Sequence, residues 1–162
     1  MIIHVKNKNI LKIDDFNLKC CIGKNGLNYN KKEGDYSTPK GVFNLKKLYF
    51  RKDRVGSPKC KLDKKAIKQN MAWCDDPNHT KYNEEIKTSN KKLKENLWRK
   101  DHKYDYVISI SHNEKKIPNK GSAIFIHLTT NYKPTAGCVA LKKKDFEILL
   151  KLIDKKTKIK IG

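Results

Sequence analysis

A chain of 162 residues, 37% hydrophobic and 34% charged, has the size of one domain that buries about two-thirds of its unfolded surface, with no room for a second. Its formal charge of +21 comes from 38 basic against 17 acidic residues, yet only Arg51, Arg54 and Arg99 are Arg, and Lys is scattered through every segment. Base-edge and bidentate phosphate recognition favour Arg, so the charge reads as compositional bias or a general attraction to anionic polymer, and argues against nucleic-acid binding. No apolar run reaches membrane-span length, and the opening MIIHVKNKNILKID alternates as a strand does, without the pattern of an export signal.

The first 22 residues hold two strand candidates, IIHV and LKCCI, with KNKN at 6–9 as a turn and IDDFN between them. Cys20 and Cys21, adjacent in a strand, point to opposite faces and read as core filling. GKNGLNYNKKEGD, from Gly23 to Asp35, is loop chemistry whose glycine spacing fits no phosphate-binding pattern. Thr38-Pro39-Lys40-Gly41 predicts a tight turn that holds a strand over VFNLKKLYF at a set angle, a bracing element and not a catalytic one.

From Arg51 to about Tyr104 the period fades and charge rises. A polar stretch this long inside a compact domain is functional or carries small elements of its own, so 52–104 reads as a polar insertion. Within it, a helix over KKLKENLWRK, capped near Ser89 or Asn90, would align Leu93, Leu97 and Trp98. Trp73, Asp75, Asp76 and Tyr82 are its substrate-binding candidates, weighed against ordinary loop packing and N-capping. Adjacent carboxylates rarely face one point and no further ligands accompany them, so no metal site is expected.

YDYVISISHN, 104–113, predicts a strand, and the basic hairpin EKKIPNK returns the chain into SAIFIHL. That places His112 as a substrate-binding candidate if the register brings it near His127, with His102 and Asp105 at the rim. KKKDFEILLKLID predicts a helix with Phe146, Leu149, Leu150 and Ile153 on one face, Asp145 and Glu147 toward its positive end, and Lys155 and Lys156 toward its negative end. KKTKIKIG ends the chain as a strand with Ile159 and Ile161 inward.

The chemistry concentrates in GSAIFIHLTTNYKPTAGCVAL, 121–141. His127 ends an apolar strand, a polar loop follows, and Cys138 returns behind a glycine. A neighbouring imidazole can depress a thiol's pKa, and Gly137 would leave the Gly137 and Cys138 amides free to hold an oxyanion, which together are the minimum for acyl transfer. Five cysteines, an odd number, leave at least one thiol unpaired in a monomer, although a Cys60–Cys74 bridge is conceivable in an oxidising compartment.

His, a loop, then [Ser/Thr]-x-Gly-Cys-[Val/Ile], an amphipathic helix and a last strand resemble the L,D-transpeptidase catalytic domain family (YkuD type), which cross-links or trims bacterial peptidoglycan. STPKGVF, Ser37 to Phe43, matches its Thr-Pro-x-Gly-x-Phe element. Most members carry His before the Gly and Arg two residues after the Cys, where this chain has Ala136 and Ala140. A shorter branch with GSAIF-x-H and T-x-GCVAL shares more of the pattern, and some members of that branch join peptide position 1 to position 3 rather than 3 to 3, so both linkages stay open.

The resemblance implies a mainly β fold with peripheral helices, a single β-sandwich or mixed-sheet domain over 1–162 with 52–104 as a long lid-like insertion. It implies catalysis by Cys138, His127 and Gly137, substrate binding at Thr135, no cofactor or metal, and acylation by carbapenems. Its implied setting is a monomer in the periplasm or cell envelope acting on peptidoglycan stem peptides. L,D-carboxypeptidase, another cysteine peptidase or amidase, and a basic polyanion-binding protein are the alternatives.

Overall fold

Alternating burial along the strands organises this protein, whose structure is a computed structural model describing residues 1–6, 9–89 and 94–162. In chain order the first half contains β1 (Ile2–Lys6), β2 (Ile10–Ile13), β3 (Phe16–Cys21), β4 (Leu27–Asn28), β5 (Thr38–Pro39), β6 (Gly41–Phe50), the short helix α1 (Lys52–Val55) and β7 (Asp63–Ala66). Then come β8 (Met71–Cys74), β9 (Glu85–Lys87), β10 (Lys94–Asn96), β11 (Tyr106–Ile110), β12 (Phe125–Leu128), β13 (Val139–Leu141), helix α2 (Lys143–Leu152) and β14 (Lys158–Ile161).

Two layers share β3 and β6. One runs β3-β2-β1-β14-β6 and the other β6-β11-β12-β13-β3, so the ladder closes on itself. The ten residues of β6 make this possible. Positions 41–44 pair with β14, and positions 45–50 with β11.

Between the layers lies the main core, with Ile3, Val5, Leu11 and Ile13 from one and Ile108, Ile126, Val139 and Leu141 from the other, all buried. Helix α2 adds Phe146, Leu149 and Leu150, and Phe146 stacks on Tyr106 with ring centroids 5.5 Å apart. Each such side chain contributes about 1.5–3 kcal/mol relative to exposure.

The period of two sends the alternate residues of β11, β12 and β13 to the opposite face. There Val107, Phe125 and Cys138 join Tyr49 in a second apolar cluster, roofed by Ile67, Met71, Leu97 and Tyr104. All four of these roof residues belong to the 52–104 insertion. Its three-stranded sheet runs β10-β8-β9. The buried Arg51 fastens it, with its guanidinium 3.6 Å above the Trp98 ring and donating to the Arg99 carbonyl at 2.8 Å.

Several sequence expectations need correction. Ile10–Ile13 is a strand of its own, so three strands replace the two expected in the first 22 residues. The turn expected at 6–9 falls partly outside the described residues. Thr38–Pro39 pairs in parallel with Leu27–Asn28, and Gly41 already belongs to β6, so the expected tight turn is an extended connection.

Among the described residues, no helix covers the end of the insertion. Glu95 pairs with Trp73 and Asn96 with Ala72, so cross-strand pairing overrides helical spacing; Leu97 is buried and Trp98 half-buried, while Asn90 and Leu93 lie outside the described residues. Helix α2 has Asp145 in its first turn, but it stops before Lys155 and Lys156, and Lys151 is the base of its last turn. Cys60 and Cys74 are free thiols.

Candidate active site

Strands β12 and β13 run in parallel with Ile126 opposite Val139 and His127 opposite Ala140. Because alternate residues share a face, His127 and Cys138 are diagonal neighbours on the side turned from the main core. Both line one cavity of about 600 Å³, which Ala140, lying across from His127, also lines.

The returning loop is pinned at both ends. Thr129 N–H donates to the Leu141 carbonyl at 2.8 Å, and Thr135 N–H to the Ile22 carbonyl at 2.9 Å. The Thr135 hydroxyl then donates to the Cys138 carbonyl at 2.6 Å and accepts the Gly137 N–H at 3.1 Å. Gly137 has φ 147°, and a Cβ there would lie 2.8 Å from the Ser37 carbonyl oxygen. Glycine is therefore required for packing against 37–38, and its amide, expected to be free for an oxyanion, is engaged with Thr135.

Cys138 Sγ receives the Phe125 N–H at 3.4 Å and donates to the Ala123 carbonyl at 3.2 Å. His127 Nδ1 lies 2.9 Å from the Leu128 carbonyl. An oxygen acceptor there assigns the proton to Nδ1, which leaves Nε2 as the basic nitrogen. The group that orients His127 is thus a backbone carbonyl. Tyr104 packs its ring against the imidazole with centroids 5.2 Å apart.

Burial shifts both groups. Burial pushes the Cys138 thiol up to about 12, although the Phe125 N–H and the Lys31 charge pull the other way. Burial likewise brings the His127 imidazole down to about 4, opposed by the Leu128 carbonyl and reinforced by Lys103 and Arg99. A thiol depressed by its imidazole is expected from sequence; the folded protein holds both groups neutral near pH 7, because desolvation disfavours each charged form.

Around this pair the cavity carries Lys31, Arg99, Lys103 and Lys133, and also Glu33, Asp75 and Glu95. Glu95 accepts the Tyr104 hydroxyl at 2.8 Å and lies 3.6 Å from Arg99. Burial, together with Glu95, Glu33 and Asp76, raises the Asp75 carboxyl above the usual range.

Of the residues singled out from sequence, Cys138, His127, Gly137, Thr135 and Asp75 line the cavity. Others do not. His112 sits beyond the end of β11, where the strand register puts Val107 beside His127; its Nε2 lies 2.9 Å from the Lys120 carbonyl, and its ring packs edge-on against Phe43. Trp73 is packed against Phe125 in the cluster that holds Cys138, and its indole donates to Asn83. Asp76 accepts the Asn78 N–H as a turn cap. Tyr82 is buried and bonded to Glu33, so it supports a cavity residue without lining the space. His102 binds Asp105 at 2.7 Å away from the cavity.

Sequence reasoning missed Lys31, Glu33, Glu95, Arg99 and Tyr104. A weak signal existed at Lys31, which stands four residues before Asp35 in an Asn- and Gly-rich loop.

Residues 2–161 match the family model of the L,D-transpeptidase catalytic domain, YkuD. Among solved structures, the helical cell shape determining protein Pgp2 from Campylobacter jejuni is similar over 99% of this chain and 46% of that one, at 19% identity and TM-score 0.55. An L,D-transpeptidase from Mycobacterium smegmatis aligns with 99% of this chain and 58% of its own, at 11% identity and TM-score 0.45. This chain spans about half the length of Pgp2, and at such identity the likeness establishes the fold alone. No curated protein matches the sequence.

Proposed function

The chain belongs to the L,D-transpeptidase catalytic domain family, and from that premise we propose that it joins peptidoglycan stem peptides through a thioacyl-enzyme on Cys138. The observation carrying this reading is that Cys138 and His127 line the same cavity, with the imidazole's tautomer fixed by the Leu128 carbonyl.

In the proposed reaction Cys138 Sγ gives its proton to Nε2 of His127 as sulfur attacks the carbonyl carbon of an L,D peptide bond. The C–N bond then breaks, the imidazolium returns its proton to the leaving amine, and a thioester remains. An amine of a second stem, losing its proton to Nε2, attacks the thioester and frees the thiol. If water attacks, the outcome is L,D-carboxypeptidase activity. The roof over the cavity favours the amine by limiting water. The GSAIF-x-H and T-x-GCVAL motifs support a 1-3 linkage. The reading places the protein in the periplasm or envelope, where its +21 charge favours anionic wall polymer.

The test is digestion of purified peptidoglycan followed by mass analysis of the muropeptides. Wild type should give new cross-linked or trimmed species that Cys138→Ala does not. A carbapenem should add its mass to wild type only. Identical muropeptides from both proteins, with no adduct, would refute the proposal.

A further inference from the structure

Lys31 is a cation sealed into the cavity wall. It is 5% exposed, in a loop that composition alone marks as surface. Its Nζ donates to the Lys32 carbonyl at 2.9 Å and to Asp35 Oδ1 at 2.5 Å. An ammonium has three N–H donors, and the third has no partner among the described residues. Asp35 is already held by the Lys32 N–H, the Ser37 N–H and the Ser37 hydroxyl, each at 2.7–2.9 Å. The loop therefore has ties of its own that do not use the Lys31 charge.

The path of the side chain points to the nucleophile. A Cβ at Gly121 would fall 3.0 Å from Lys31 Cγ and 3.2 Å from Cε, and a Cβ at Gly137 would fall 3.6 Å from Cε. Both glycines have φ in the range that favours glycine, 94° and 147°. The stem thus passes between two glycines, one of them next to Cys138. Lys103 and Lys133, by contrast, are exposed at the mouth, and Arg99 is forked onto Asp101 at 2.8 and 2.7 Å.

Resting on the reading of Cys138 as the nucleophile, we propose that Lys31 is the anion receptor of this cavity, binding a carboxylate that the peptide substrate carries close to the scissile bond. A single buried ammonium with one unspent donor suits a monoanion. Glu33, Asp75 and Glu95 on the same cavity disfavour a doubly charged phosphate.

The experiment compares alkylation of Cys138 by iodoacetate, a carboxylate, with alkylation by the neutral iodoacetamide, located by peptide mass mapping at ~1 M salt. High salt screens the exposed lysines at the mouth but acts much less on a buried cation. Both reagents consume thiolate, so their rate ratio is independent of any change in thiol pKa that a mutation causes. We expect the iodoacetate-to-iodoacetamide ratio to fall at least ~5-fold in Lys31→Met and to stay within ~2-fold of wild type in Lys31→Arg. An unchanged ratio in a folded Lys31→Met overturns the inference while leaving the nucleophile intact. Failure of both reagents to modify wild-type Cys138 at pH 9, where a thiol of pKa about 12 still supplies a reactive fraction, overturns the nucleophile reading and this inference with it.

If Lys31→Met does not fold, the wild type decides. N-acetyl-D-alanine should slow alkylation by iodoacetamide while its methyl amide should not, and equal or absent protection overturns the assignment.

Discussion

Replacing His127 by Gln should remove a specific acid-sensitive part of the protein's stability. Gln can still donate to the Leu128 carbonyl, but it does not titrate. His127 is 6% exposed, and burial carries its pKa from 6.5 to about 4. Because the folded value lies below the unfolded one, the unfolded chain binds the extra proton in the window between them, and stability falls as pH drops through it. At about 1.36 kcal/mol per pH unit, the wild type loses about 3 kcal/mol at this residue by pH 4, with little further loss below that. Urea unfolding followed by Trp73 and Trp98 fluorescence at pH 7, 6, 5 and 4 reads this directly. The difference in stability between wild type and His127→Gln should shift by about 3 kcal/mol in favour of the variant, or roughly 1–3 M in midpoint difference. Parallel loss in the two proteins across that range would show that the imidazole is not held neutral in a dry site, and the chemistry argued from it would fall.

The same substitution should slow iodoacetamide alkylation of Cys138 at pH 6.5 by at least ~10-fold, measured by mass mapping, if Nε2 is the base. Gly137→Ala should destabilise by roughly 2–4 kcal/mol in urea, since it combines an unfavourable φ with overpacking against the Ser37 carbonyl. Gly56→Ala is the control, because φ there is 67° with nothing within 4 Å, so its cost should be the smaller. Phe146→Ala should cost about 3–5 kcal/mol, as expected for an aromatic ring with no exposure, and its circular dichroism melt should shift down accordingly.

The main sheet and helix α2 were legible because a single physical signal, periodic burial, decides them. Ile159 and Ile161 alternate inward, and Phe146, Leu149 and Leu150 follow helical spacing, as the folded chain has them. The insertion was misread at its end because Leu97 and Trp98 satisfy helical spacing locally, whereas pairing of 94–96 with β8 is a contact across 20 residues of sequence that no local window contains. His127 and Cys138 stood out through residue type and order. Lys31 did not, since one lysine among 38 basic residues carries no mark of the two glycines that let it pass inward. His112 misled for the opposite reason. A histidine at a strand end near an active-site strand draws attention, and only the register of β11 against β12 shows that it lies past the cavity.

The opposed shifts of Cys138 and His127 determine how the chemistry must proceed. Moving a proton from sulfur to imidazole at rest would create two charges in a site whose burial penalises both. On the proposed mechanism the proton therefore moves as sulfur meets the substrate carbonyl, so that negative charge passes to the developing oxyanion and no standing thiolate–imidazolium pair is needed. The insertion contributes Asp75, Glu95, Arg99 and Tyr104 to the cavity lining, so on the proposed mechanism it bears on reactivity through the burial it provides. Thiolate absorbance near 240 nm tests the claim. The difference between wild type and Cys138→Ala should stay flat from pH 5 to pH 9, because the thiol's pKa is about 12. A step in that difference below pH 8, amounting to one thiolate, would mean that the pair is already ionised before substrate arrives and that proton transfer is no part of the barrier.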